Sequence, residues 1–143
     1  MEDTDDDSPF ALPDRIMFDD EQANAYHIRI KLKNAPVPVW REVEVPSNIS
    51  LAFFAFVILD AMGWENEHLH QFMNKDTIYK NRVCVKHDQK MFGEFMSGRR
   101  TLVSDDYPLS AIFKEKGDRI SFEYDFGDGV RVFSGDEIDP SDI

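Results

Sequence analysis

The chain reads as an α+β domain in which a mixed, mainly antiparallel sheet packs on one main helix, a β-grasp-like arrangement with acidic ends. Three observations point there. Tyr26 to Lys33 and Val39 to Val45 alternate apolar with charged residues at the period of two that a half-solvated strand requires. Leu51 to Met62 is apolar at helical spacing, between Ser50, a good N-cap, and Gly63, placed to stop a helix. Period two returns around the turn signal Phe126-Gly-Asp-Gly129.

Length sets the scale. With 143 residues, 42% of them apolar and twelve Phe, the chain can bury one good core and is read as one domain. The single cysteine, Cys84, can make neither an internal disulfide nor a thiolate zinc cluster and reads as a small buried hydrophobe, which points to a reducing compartment. The first residues are acidic where a signal peptide would be basic and then apolar. No apolar run approaches the ~20 residues of a membrane span. A cytoplasmic location without membrane contact is expected.

The net charge of -12 is unevenly placed. From Met1 to Asn24 nine acids face Arg15 alone, eight net negative charges, and Asp136, Glu137, Asp139 and Asp142 add four more. Ala25 to Phe133 holds fifteen acids and fifteen bases. Residues 1–24 and 134–143 are therefore read as acidic tails around a neutral domain, 25–133. The first tail also carries Phe10, Leu12, Ile16, Met17 and Phe18, spaced so that one short piece could lie on an apolar surface.

In the first strand Ile28, Ile30 and Leu32 alternate with Arg29, Lys31 and Lys33; after a proline-stiffened link, the second sets Val43 and Val45 against Glu42 and Glu44. Glutamates opposite the basic face form cross-strand pairs that favour this register. Trp40 shares parity with the glutamates and is expected on the outer face. The helix has a core stripe of Leu51, Phe54, Ala55, Ile58, Ala61 and Met62. Its other side carries Ala52, Phe53, Phe56 and Leu59, with Asp60 the only charge. Such a helix must be covered on both sides, by the Phe10 to Phe18 segment, by the loop after Tyr79, or by another chain.

His68, His70 and Phe72 then share one strand face, and Thr77-Ile78-Tyr79 continues after an Asn74-Lys75-Asp76 turn. Lys80 to Arg100 is locally basic and irregular, and its glycines suggest loops. Lacking a stacked aromatic platform or a recognised motif, it is read as a solvated excursion, and direct nucleic-acid binding is not expected. Pro108 to Lys116 reads as a short helix closed by Gly117. Arg119 to Asp125 is a strand with Ile120, Phe122 and Tyr124 inward, and Val130 to Phe133 is the last strand.

Several of these segments together resemble the plasmid pRiA4b ORF-3-like family, small domains found on plasmids and mobile elements. The family's extended strand, proline and Trp-Arg, Val-Pro, a Leu-led helix ending in Gly-Trp and His-Leu-His-x-Phe correspond to Pro38, Trp40-Arg41, Val45-Pro46, Leu51, Gly63-Trp64 and His68 to Phe72. Its closing Tyr-Asp-Phe-Gly-Asp corresponds to Tyr124 to Asp128. The resemblance covers Tyr26 to Tyr79 and Leu109 to Phe133 and implies a fold but no reaction. The chain departs from it in having Val130 and Val132 where members usually carry Trp and His, and in the apolar character of its helix.

The sequence favours a non-enzymatic interaction module acting on a protein partner or as a homodimer through Phe53, Phe56 and Leu59, together with Trp40. An alternative is an acidic inhibitor of a DNA- or RNA-handling protein, acting through its tails. A second is a metal-dependent enzyme: His68 and His70 lie on one strand face, and the turn could bring Asp125 and Asp128 near. In the competing reading His70 and the aspartates hydrogen-bond backbone in a tight corner. No glycine-rich phosphate loop, no nucleophile beside a base and no paired-carboxylate motif is present, so no cofactor is expected.

Overall fold

A computed structural model describes residues 12–13, 15–32, 36–37, 39–65, 70–75, 77–86, 100–115, 117–124 and 130–134, the last group by backbone alone. Strands β1 (Ala25–Leu32) and β2 (Trp40–Pro46) form an antiparallel hairpin with Tyr26 opposite Val45, Ile28 opposite Val43 and Arg29 opposite Glu42. This is the register the charges favour: the Arg29 guanidinium lies 3.0 Å from the Glu42 carboxylate on the outer face. Helix α1 (Leu51–Met62) follows, then β3 (His70–Asn74), which turns at Lys75 in the left-handed region (φ 54) into β4 (Thr77–Lys80). After β5 (Arg100–Val103) come a 3-10 turn at Ser104–Asp106, the one-turn helix Leu109–Ile112, β6 (Ile120–Tyr124) and β7 (Val130–Ser134).

The seven strands form one sheet in the order β2-β1-β7-β6-β3-β4-β5, antiparallel except for the parallel pair β4–β5. The domain is therefore α+β, with a mixed, mainly antiparallel sheet. Tyr26, Ile28 and Ile30 from β1, Phe72 from β3, and Ile120 and Phe122 from β6 pack against Leu51, Phe54, Ala55 and Ile58 of α1. Both ends of α1 are set by local chemistry. The Ser50 hydroxyl accepts the Phe53 N–H (3.0 Å), and Gly63 closes the helix at φ 73, where a side chain would be strained.

The structure corrects two expectations. Within the basic stretch Lys80 to Arg100, a helical turn at 82–86 is present and Arg100 begins a strand parallel to β4. Ile78 and Cys84, both 9% exposed, lie outside the main core cluster. Ile78 pairs with Met73 on the outer face, so the outer face is buried at that position of the sheet. The helix expected over Pro108 to Lys116 is confined to Leu109–Ile112. The Asp118 carboxylate accepts the Lys114 and Glu115 N–H groups (2.7 and 2.9 Å), closing a turn that includes Gly117 (φ 95).

Candidate functional site

On α1, at 100° per residue, Leu51, Ala52, Phe54, Ala55, Ile58 and Leu59 form one continuous buried arc. Leu59, expected on the exposed side, is 3% exposed and part of the core, so it offers no docking surface; Ala52 is buried as well. The outward face is narrower, made of Phe53, Phe56, Val57 and Asp60, and Val57 is a member that reading by stripes missed. Phe56 and Val57 are half-buried against the core, whereas Phe53 lies outside the core cluster and meets Phe56 edge-on at 6.2 Å between ring centroids.

The segment before β1 is anchored at the start of this face. Met17 bridges Ile49, Phe18 N–H donates to Asn48 O (2.8 Å), Ser50 N–H donates to Ile16 O (2.8 Å), and Asn48 Nδ2 donates to Phe18 O (2.7 Å). The attachment is made by main chain rather than by apolar side chains: Leu12, Ile16 and Met17 remain 63%, 40% and 51% exposed. Phe10 lies outside the described residues.

The two motif segments meet in an aromatic corner. Trp64, just past α1, stacks on Tyr124 of β6 (5.0 Å, 17°), and the Tyr124 hydroxyl donates to the Glu65 carbonyl. His70 pairs across the strands with Tyr124, is buried, and lies 5.3 Å from the Phe122 ring. The corner thus ties the exit of α1 to the β3–β6 pair by ring stacking. Of the proposed metal ligands, His68, Asp125 and Asp128 lie outside the described residues. Among those described, no group of three or more His, Cys, Asp or Glu could hold a metal ion.

Trp40 stands on the opposite side of the sheet from α1, so it and Phe53 form no common surface. It is 49% exposed at the start of β2, opposite Lys31, with the Arg29 guanidinium 5.1 Å from its ring centre. Glu42 beside it receives Arg29 and also His27 (3.1 Å). The Arg29 hydrogen bond holds its carboxyl below the usual range.

A polar junction closes the crossover between β4 and β5. The buried Asp105 accepts the Arg82 N–H (2.9 Å), and the Arg82 guanidinium bridges Asp106 (2.6 Å). Burial raises the Asp105 pKa, which the Arg82 N–H only partly offsets. A raised folded pKa means that ionised Asp105 penalises folding above that pKa and that the penalty vanishes as pH falls through it. Asp105→Asn keeps an acceptor for Arg82. It is therefore expected to raise stability at neutral pH, with a gain over wild type that closes on acidification. Urea midpoints across a pH series check this; a loss of stability at neutral pH would contradict it.

No helix is long and apolar enough to cross a membrane among the described residues. The chain is similar to y4hQ, an uncharacterized protein of Sinorhizobium fredii, with 29% identity over 107 residues; the match covers 75% of this chain and spans half the length of that relative. Its fold is similar to that of MM3350 from Methanosarcina mazei Go1, a crystal structure of a protein of unknown function. The TM-score is 0.64 and the identity 24%, over 82% of this chain and 62% of that one. The model of the plasmid pRiA4b ORF-3-like proteins matches residues 24–132, across both motif segments and the strands and helix between them, and this chain belongs to that family.

Proposed function

We propose that this chain is a small non-enzymatic interaction module that binds a protein partner through the outward face of α1. One observation carries the reading: Phe53, half-buried and outside the core cluster, stands on a helix whose outward face holds only Phe56, Val57 and Asp60 beside it. A helix serving only its own fold would present Lys, Glu or Gln there. The exposed Ile16 and Met17, anchored at Ser50, extend the apolar character past the helix start. A partner fits this face better than a second copy does. Asp60 ends this face near the C-terminus of the helix, and two copies of the chain would meet with a net charge of -12 each. A partner offering a cation among apolar anchors meets no such repulsion. The family's name points to a plasmid open reading frame, which supports an origin in a plasmid or mobile element.

The test is affinity capture from native lysate with nuclease treatment, comparing wild type with Phe53→Asp/Phe56→Asp. The expected result is a protein retained by wild type and lost with the variant, whose circular dichroism is unchanged. A variant that unfolds would show the face to be core. Wild type that recovers only itself, with a dimer seen by light scattering, would replace the partner by a second copy.

A further inference from the structure

We infer that the free edge of β2 is a second docking site, which takes an extended basic segment as an added strand and is independent of the α1 face. β2 ends the sheet, and among the described residues no strand pairs with its far side. The hydrogen bonds at both ends of the hairpin determine which main-chain groups face that side. Leu32 N–H donates to Val39 O (2.9 Å), and Ser47 N–H donates to Asn24 O (2.6 Å). Both bonds continue the register that sets Lys31 opposite Trp40 and Ala25 opposite Pro46. Bonded residues alternate in an antiparallel ladder, so the odd-numbered residues of β2 bond β1, and Trp40, Glu42 and Glu44 turn N–H and C=O outward. The Arg41 guanidinium already donates to the outward Trp40 carbonyl (2.9 Å), so these three alternate residues offer an incoming strand up to about five further main-chain bonds.

Side chains define the occupant. Residues of an added strand opposite Trp40, Glu42 and Glu44 would share their outer face, where they meet an exposed indole and two carboxylates. Lysine or arginine suits these positions, most directly opposite Glu44, because Arg29 and His27 already hold Glu42 and Arg29 lies over Trp40. The intervening positions would share the inner face with Val43 and Val45, where apolar residues fit. β1 already shows that pattern on the other side of β2: His27, Arg29 and Lys31 outward, Ile28 and Ile30 inward. A second copy of β2 does not suit the edge. Pairing about Val43 would set Glu42 against Glu44 twice, and pairing about either glutamate would set it against itself. The edge is thus guarded against its own kind and open to a basic strand.

The experiment titrates the full chain with two short capped peptides, one alternating lysine with valine and one alternating glutamate with valine, following backbone amides by NMR. The lysine peptide is expected to bind, more weakly at higher salt, and to shift the Trp40, Glu42 and Glu44 amides. The glutamate peptide should not bind. Glu44→Pro removes an outward N–H but no bond to β1, and should weaken binding by about tenfold or more. Glu44→Lys, which leaves the backbone intact, should also weaken it should the proline variant misfold. Phe53→Asp/Phe56→Asp should leave peptide affinity unchanged, which separates this site from the α1 face. No binding, equal binding of both peptides, shifts confined to α1, or indifference to both Glu44 variants would overturn the proposal.

Discussion

Phe54→Ala is expected to lower folding stability by about 3–5 kcal/mol, the range for removing a fully buried aromatic ring. Phe54 has no exposed surface. Its ring stacks on Phe72 of β3 (6.1 Å, 13°) and meets Phe113 edge-on (6.4 Å, 85°), joining the helix to two distant parts of the chain. The cavity would not collapse easily. Ser50 ties one end of α1 to the preceding segment and Trp64 ties the other to Tyr124, so the helix cannot slide inward to refill the space. Against a total stability of about 5–15 kcal/mol, the loss leaves a marginal protein. Urea denaturation should show a much lower midpoint with an unchanged slope. Phe53→Ala is the control: lying outside the core cluster, it should cost less than about 1 kcal/mol. Equal losses for the two would show that the outward face belongs to the core and would remove the basis of the proposed function.

Much of the fold is legible because its determinants are local. Ser50 and Gly63 bound α1 through a side-chain cap and a left-handed backbone, which act within a few residues of where they are read. The β1–β2 register follows from alternation and from charge, and Arg29 and Glu42 meet across it. Trp40 faces outward because it shares the glutamates' parity. β5 was not legible in the same way. Its four residues pair in parallel with β4 across a long connection, so no turn signal and no adjacent alternating run announces it. Leu59 was misplaced because a stripe at i, i+3 and i+4 is narrower than the arc that α1 buries. Leu51 N–H donates to the Tyr107 carbonyl, so the helix is flanked by the segment after β5 as well as by the sheet.

The candidate surfaces divide along the same line. That Phe53 and Phe56 belong to an unusually apolar helix is evident from composition. That they lie on the opposite side of the sheet from Trp40 depends on which sheet face α1 covers, a long-range outcome. The free edge of β2 depends on strand order and is invisible to any reading of local pattern. The aromatic corner lies between the two cases. Its segments are conspicuous as motifs, but their shared purpose appears only when Trp64 is found stacked on Tyr124.

Ser50→Ala is expected to destabilise the domain by about 1–2 kcal/mol and to detach the segment before β1. Ser50 is fully buried and its hydroxyl has two tasks: it accepts the Phe53 N–H and donates to the Arg15 carbonyl (2.8 Å). Alanine loses both. Glycine is a tolerable N-cap, costing only a few tenths of a kcal/mol at that position, yet it too lacks the donor to Arg15. The two variants should therefore differ in urea midpoint, with glycine closer to wild type, but agree in loosening the segment. Exchange of the Phe18 amide, which donates to Asn48 O, reports on that segment directly and should accelerate in both. If the proposed partner also grips Ile16 and Met17, both variants should bind it more weakly than wild type although Phe53 and Phe56 are untouched. Wild-type affinity in both, with the Phe18 amide exchanging faster, would confine the binding surface to the helix itself.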